Sequence, residues 1–213
     1  MREGNSRVTV IIPTLNEEEN IAQVIHELNQ MSYGNILVVD GNSVDRTVKI
    51  AKELGVNIVM QNGSGKGAAL RQVFNDEHLN SDLIVILDAD GSMSPKEIPL
   101  LIEGLDKGAD VVKGSRFLQP GYSEDMNLIR RIGNRIFILV TNWLCSTNYT
   151  DLCYGFAAFR KAAIKRLYPH LKSKNFEIET EIFIKAKKLG LKVSEVPSVE
   201  LRRRYGKSNL SAF

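Results

Sequence analysis

The sequence predicts an α/β fold with a mainly parallel, Rossmann-like central sheet and helices on both faces. Two observations carry that expectation. Through the first half, short apolar runs alternate with segments of helical period, the pattern of successive βαβ units. One of those runs, 83–87, is apolar at every position, as a strand covered on both faces must be. The 213 residues are 43% hydrophobic and 25% charged, which suits one globular domain with a sizeable core.

The first strand is expected at 8–12, broken by Pro13. Residues 17–31 then place Ile21, Val24, Ile25 and Leu28 at helical spacing, with Asn16 as the expected N-cap. A strand at 36–39, a helix at 47–54 closed by Gly55 and a strand at 56–60 repeat the unit. A glycine-rich loop, a helix at 68–74 and the strand 83–87 follow. Pro95 opens a helix to about residue 107, 111–113 is another short strand, and 119–125 reads as a flexible polar loop. Beyond it the alternation weakens, with a helix at 128–144, a strand at 156–160, a helix at 177–189 and a strand pair at 193–201 bent at Pro197. The expected organisation is one domain over 1–213. Residues 1–90 and 91–213 form its two halves.

Composition excludes several function classes. The net charge of +3 is too small to call for nucleic acid, although basic residues crowd the second half. Cys145 and Cys153 have neither C-x-x-C nor zinc spacing and are expected to be ordinary buried thiols. The polar start runs straight into a strand and leaves no room for a signal peptide. No apolar run reaches the roughly 18–20 residues that span a bilayer, so the chain is expected in the cytoplasm.

The sharpest chemical feature is Asp88-Ala89-Asp90. Carboxylates two apart on extended backbone point the same way, here out of the carboxyl end of a strand, where open α/β sheets bind ligands. Hard oxygen ligands suit Mg²⁺ or Mn²⁺, which would bridge a diphosphate. Two solvated aspartates in a turn before Gly91 are the bland alternative. The loop Pro13-Thr14-Leu15-Asn16-Glu17-Glu18 precedes a helix whose amides favour anions, though taken alone it reads as a capped helix start. Asp40 ends the second strand, where it either accepts from a nucleobase N–H or caps the loop 41–45. Lys66, in Gly63-Ser64-Gly65-Lys66-Gly67, is within reach of a phosphate. A P-loop is excluded because Gly67 stands where Ser or Thr would bind magnesium. Gly63, Gly65 and Ala68 imitate a dinucleotide fingerprint, but one belongs straight after the first strand, not the third, so a dehydrogenase is only a minor alternative.

Taken in order, these pieces resemble glycosyltransferase family 2, and within it the polyprenol-phosphate sugar synthases. The resemblance runs from Val10-Ile11-Ile12-Pro13 through Glu18, then Val38-Val39-Asp40 with Ser43, Asp45 and Thr47. It continues over Gly65-Lys66-Gly67, Asp88-Ala89-Asp90, Gly114-Ser115-Arg116, Asp151 with Gly155-Phe156, and Tyr205-Gly206-Lys207-Ser208. It implies a GT-A (nucleotide-diphospho-sugar transferase) fold, with 1–90 as its nucleotide-sugar-binding half and 91–213 as its acceptor-binding half, and an inverting, metal-dependent transfer from a UDP- or GDP-sugar to a polyprenyl phosphate. Pro13, Leu15, Glu17 and Asp40 would line the nucleoside pocket, and Lys66 would meet the pyrophosphate. Asp88 and Asp90, with Ala89 between them, would hold Mg²⁺ or Mn²⁺. Arg116, Arg131 and Arg203 would grip the acceptor phosphate, as guanidinium groups do bidentately.

The resemblance also bears on the helix expected at 128–144. Its Ile136, Phe137, Ile138, Leu139, Val140, Trp143 and Leu144, flanked by Arg130, Arg131 and Arg135, suit either a core helix or one lying in a membrane interface. A lipid acceptor favours the interface, hence peripheral contact with the cytoplasmic face of a membrane. Two other functions fit the same donor site: transfer to a soluble or polysaccharide acceptor, and a silent nucleotide-sugar-binding module. The sequence departs from the family at Gly41, Ser92, Ala157 and Asn209. It ends soon after the last motif, where many relatives continue.

Overall fold

The structure, a computed structural model, describes residues 5–75 and 79–206. Its first half is β1 (Val8–Thr14), α1 (Ile21–Gln30), β2 (Ile36–Asp40), α2 (Thr47–Glu53), β3 (Asn57–Met60), α3 (Lys66–Phe74) and β4 (Leu83–Ile86). The second half is α4 (Ile98–Asp106), β5 (Val111–Ser115), β6 (Tyr122–Ser123), α5 (Leu128–Cys145), β7 (Ala157–Arg160), α6 (Lys161–Leu167), α7 (Ile178–Lys188), β8 (Val193–Pro197) and β9 (Val199–Glu200).

Seven strands form one sheet in the order β3-β2-β1-β4-β7-β5-β8. β1, β2, β3 and β4 run parallel, as does the β5–β8 pair, while β7 runs antiparallel between β4 and β5. The antiparallel strand was not legible in the sequence. β6 and β9 pair separately as a small parallel ribbon, so part of the stretch expected as a loop at 119–125 is strand.

The period of two in β1 sorts its side chains between two cores. Val8, Val10 and Ile12 face α1 and α4, packing with Ile21, Val24, Ile25, Leu28, Ile98, Leu101 and Leu105. Ile11 faces the other side with Val73, Phe74, Phe159, Ile164 and Phe183 of α3, β7, α6 and α7. Burying each such side chain contributes about 1.5–3 kcal/mol, so the sheet is held from both faces. The chain leaves β1 toward β2 on one side and returns as β4 on the other, so direction reverses between β1 and β4. Such a reversal opens a crevice at the carboxyl ends of the strands.

Two expectations changed. α1 starts at Ile21, not at 17, because Asn16 takes a left-handed conformation (φ 54°) and the Glu17 and Glu18 amides bond to a neighbouring loop. The thiols of Cys145 and Cys153 are free but only half-buried. α5 does begin with a capped turn, the Asn127 side chain accepting from the Arg130 amide at 2.9 Å.

Of the α5 side chains only Ile138 and Thr141 are buried, and Leu128, Ile129, Leu139, Trp143 and Leu144 are each more than 65% exposed. The core-helix reading therefore fails: this helix turns most of its apolar surface outward. No helix among the described residues is long and apolar enough to cross a membrane. Replacing Ile138 by Ala should cost about 2–5 kcal/mol, as a buried truncation does, whereas Trp143→Ala should change stability by about 0.5 kcal/mol or less. Urea unfolding midpoints of the two variants measure the difference.

Candidate active site

The loops after β1 and β2 are fastened to each other. The Asn16 amide donates to Ser43 Oγ at 2.8 Å, and Asn16 Oδ1 accepts from the Val44 amide at 2.9 Å. The Glu17 amide donates to Thr47 Oγ1 at 2.8 Å and the Glu18 amide to Asp45 Oδ2 at 3.1 Å. These bonds account for Ser43, Asp45 and Thr47 at alternate positions, and they leave those amides unavailable to an anion. Neither sequence reading of this loop, anion site or simple helix cap, describes it.

Asp40 is fully buried and accepts from the Ser43 amide at 2.7 Å, Ser43 Oγ at 2.7 Å and Thr14 Oγ1 at 3.1 Å. It is the loop cap, and the base-contact expectation for it is corrected: its carboxylate has no face open to a base. Pro13 is half-buried and Leu15 exposed at the same rim.

β4 delivers Asp88 and Asp90 to the crevice beside β1. Gly91, with φ 75°, closes the turn, and the Ser92 amide donates to Asp90 Oδ1 at 2.9 Å. Ala89 is buried beneath the two carboxylates. Each carboxylate carries a basic partner. Lys66, the first residue of α3, lies 2.6 Å from Asp88 Oδ1 and 2.6 Å from Glu179 Oε1 in the first turn of α7. Arg203 lies 3.3 Å from Asp90 Oδ2 and 3.0 Å from Glu17 Oε1. Burial raises the Asp88 carboxyl above its ordinary range, with Lys66 opposing and Glu179 and Asp90 reinforcing. Burial also raises Glu17, against the pull of Asn20 and Arg203. Glu17 thus faces Arg203 and Asn20, not an open nucleoside pocket as expected.

The donor set suits a small hard cation. The Arg203 contact to Asp90 is long, and both carboxylate side chains keep some solvent access. Among the described residues no group of three or more His, Cys, Asp or Glu is arranged to hold a metal. Two carboxylates fit Mg²⁺ or Mn²⁺, which keep water and phosphate oxygens in the rest of the shell.

The three arginines expected at an acceptor phosphate lie in three different settings. Only Arg203 is at the carboxylates. Arg131 is exposed on α5, and no contact joins it to Asp88 or Asp90. Arg116 must be corrected outright, since all five of its N–H donors are taken inside the protein. Nε and NH2 grip Asp151 at 2.7 and 3.0 Å, NH2 also donates to the Cys153 carbonyl at 2.7 Å, and NH1 straddles Glu200 at 3.1 and 3.2 Å. Its plane lies 4.8 Å from the Tyr154 ring centre. Arg116 therefore ties the 147–155 loop to β9. Lys207 and Ser208 lie outside the described residues.

Glu179 was missed. It stands between Glu177 and Glu181 on a helix of ordinary charge pattern, and only the fold brings it to Lys66. The one sequence hint was Gly155: a Cβ there would come within 2.6 Å of both Glu179 Oε1 and Lys66 Nζ, so the glycine makes room for the pair.

Comparison with known proteins identifies the family and the fold. The family described as Glycosyl transferase family 2 matches residues 9–168. Glycosyltransferase AglJ of Haloferax volcanii is 34% identical over 201 residues, covering 93% of this chain and 64% of that protein. A UDP-N-acetylglucosamine--dolichyl-phosphate N-acetylglucosaminyltransferase of Methanococcus voltae is 32% identical, covering 93% of this chain and 87% of that protein. A dolichol-phosphate mannosyltransferase of Pyrococcus furiosus is 32% identical, covering 96% and 59%. The chain thus spans less than two thirds of the length of the first and third of these. Among solved structures, glucosyl-3-phosphoglycerate synthase from Mycobacterium tuberculosis superposes with a TM-score of 0.74 at 21% identity, covering 95% of this chain and 73% of that one. One of its crystal forms holds Mn²⁺, UDP and glucosyl-3-phosphoglycerate. The shared architecture is the GT-A fold.

Arg116→Met would leave Asp151 and Glu200 buried without their cation and should cost about 3–5 kcal/mol at neutral pH. Burial pushes Asp151 up, but Arg116 outweighs it and holds the carboxyl below its ordinary value. In the parent protein the pair therefore stabilises at every pH above the ordinary carboxylate range, and the benefit is lost only as pH falls through that lowered value. In the variant the sign reverses, and the deficit should shrink on acidification as Asp151 takes up a proton. Urea unfolding as a function of pH measures both.

Proposed function

The chain belongs to glycosyl transferase family 2, and from that premise we propose that it moves a sugar from a UDP- or GDP-sugar to a polyprenyl phosphate with inversion at the anomeric carbon. The observation that carries this reading is the pair Asp88 and Asp90 at the β1–β4 reversal, with Lys66 and Arg203 converging on them. The names of the archaeal relatives, two of which act on dolichyl phosphate or dolichol phosphate, support the acceptor class.

In this reading Asp88 and Asp90 hold Mg²⁺ or Mn²⁺. The bound cation supplies Lewis-acid stabilisation of the charge that gathers on the departing diphosphate. Pro13 and Leu15 line the nucleoside side of the crevice, Lys66 serves the pyrophosphate, and Arg203 and Arg131 serve the acceptor phosphate. Arg116 acts indirectly, by holding the 147–155 loop and Gly155 beside Lys66. A phosphate oxygen is already ionised near neutral pH, so the acceptor attacks without a general base. The protein's contribution is then orientation and fixed charge.

The outward apolar face of α5 suits contact with a membrane that carries the lipid acceptor. Trp143 is 81% exposed, and Arg130, Arg131 and Arg135 share the helix. The protein then works at the cytoplasmic face of that membrane.

Incubation with radiolabelled UDP- and GDP-sugars, a polyprenyl phosphate and Mn²⁺ should yield a product that partitions into organic solvent with the opposite anomeric configuration to the donor. Asp90→Ala should lower the rate by about 100-fold or more. A water-soluble product, or net retention, would overturn the reading. For the membrane contact, co-sedimentation with anionic vesicles should fall when Leu139 and Trp143 are both changed to Ser, while the melting temperature stays near that of the parent protein.

A further inference from the structure

Both carboxylates at the end of β4 are already partnered by cations of the chain itself, and each of those cations is held by a second carboxylate. Lys66 is shared between Asp88 and Glu179 at 2.6 Å each. Arg203 is shared between Asp90 and Glu17 at 3.3 and 3.0 Å. We propose that Glu179 and Glu17 are positioning residues that tether Lys66 and Arg203, and that through them they set the affinity of the Asp88–Asp90 pair for a divalent cation they never touch.

The charge count gives the physical reason. Among the described residues the ion-pair partners of Asp88, Asp90, Glu179 and Glu17 are Lys66 and Arg203, so this cluster keeps two negative charges, the complement of one divalent cation. Remove both tethers, and two aspartates would be matched by two basic groups, leaving nothing to attract a metal. Arg204, whose side chain lies against Gly91 nearby, does not alter the balance because Glu27 pairs with it at 2.8 Å. Burial makes these charges count. The Lys66 side chain is 6% exposed, Glu179 12% and Glu17 7%, so solvent screens them weakly.

The tethers are also rigid. Glu179 sits in the first turn of α7, in the gap left by Gly155. Glu17 is fixed by Asn20 Nδ2 at 2.7 Å, and Asn20 in turn donates to the Tyr205 carbonyl at 3.2 Å. Arg203 belongs to a strap that crosses the Asp90 turn, with the Leu201 amide on the Ser92 carbonyl at 2.9 Å and the Arg204 amide on the Asp90 carbonyl at 3.3 Å. When a metal takes Asp88 and Asp90, Lys66 and Arg203 have somewhere to stay. They remain beside the crevice, free of the aspartates and available to phosphate oxygens.

The inference rests on the metal reading under Proposed function, and one experiment separates the two. Mn²⁺ binding to the nucleotide-free protein is followed by the electron paramagnetic resonance signal of free Mn²⁺, alongside melting curves to confirm folding. Glu17→Gln and Glu179→Gln should each weaken binding by about tenfold or more, and Arg203→Gln should tighten it by a similar factor. A merely structural role would not move affinity in opposite directions. Unchanged binding in both Gln-for-Glu variants, or weaker binding in Arg203→Gln, would overturn the tether. If Glu179→Gln fails to fold, the Glu17 and Arg203 variants decide alone. A parent protein that takes up no Mn²⁺ with or without UDP or GDP, or an Asp90→Asn variant that binds as well as the parent, would instead overturn the metal site itself.

Discussion

Four carboxylates meet within reach of one another at the carboxyl end of β4, and the rest of the site is arranged around containing their repulsion. Asp88, Asp90, Glu17 and Glu179 arrive from three separate elements. Left unpaired in a poorly solvated crevice, such a group would take up protons or push the elements apart. Lys66 and Arg203 prevent that by standing between pairs of acids. The arrangement is stable as it stands, yet it keeps an excess of negative charge where the proposed cation would sit. Structure and chemistry draw on the same groups.

The same logic recurs a short distance away, with the opposite outcome. Arg116, Asp151 and Glu200 form a buried cluster in which every guanidinium N–H has a partner. Lys113, fully buried, does likewise with Glu195 and the Asp151 carbonyl. Nothing there is left to bind a substrate, and the cluster's work is to fix the 147–155 loop to β5, β8 and β9. Through Gly155 that loop borders the Lys66–Glu179 pair. A saturated charge cluster therefore positions an unsaturated one, which is how a binding crevice can be both rigid and reactive.

α5 is governed by a different force. Its apolar side chains face outward and bury little against the sheet, so the folded chain alone does not explain their composition. An exposed apolar stripe of this size is a surface made for contact.

Local pattern alone fixed much of the fold. The alternation in β1, the helical spacing of Ile21, Val24, Ile25 and Leu28, and the unbroken apolar run of β4 follow from neighbouring residues and the geometry of strand and helix. So did the placing of Asp88 and Asp90 at a strand end beside the topological reversal. The direction of β7, the burial of Asp40 and Arg116, the outward face of α5 and the arrival of Glu179 at Lys66 did not. Each depends on segments far apart in the chain, 113 residues in the case of Lys66 and Glu179. Residue type and spacing tell what a side chain can do, but its partner is chosen by packing. An arginine that could hold a phosphate and one locked onto a buried aspartate look the same until the chain has folded.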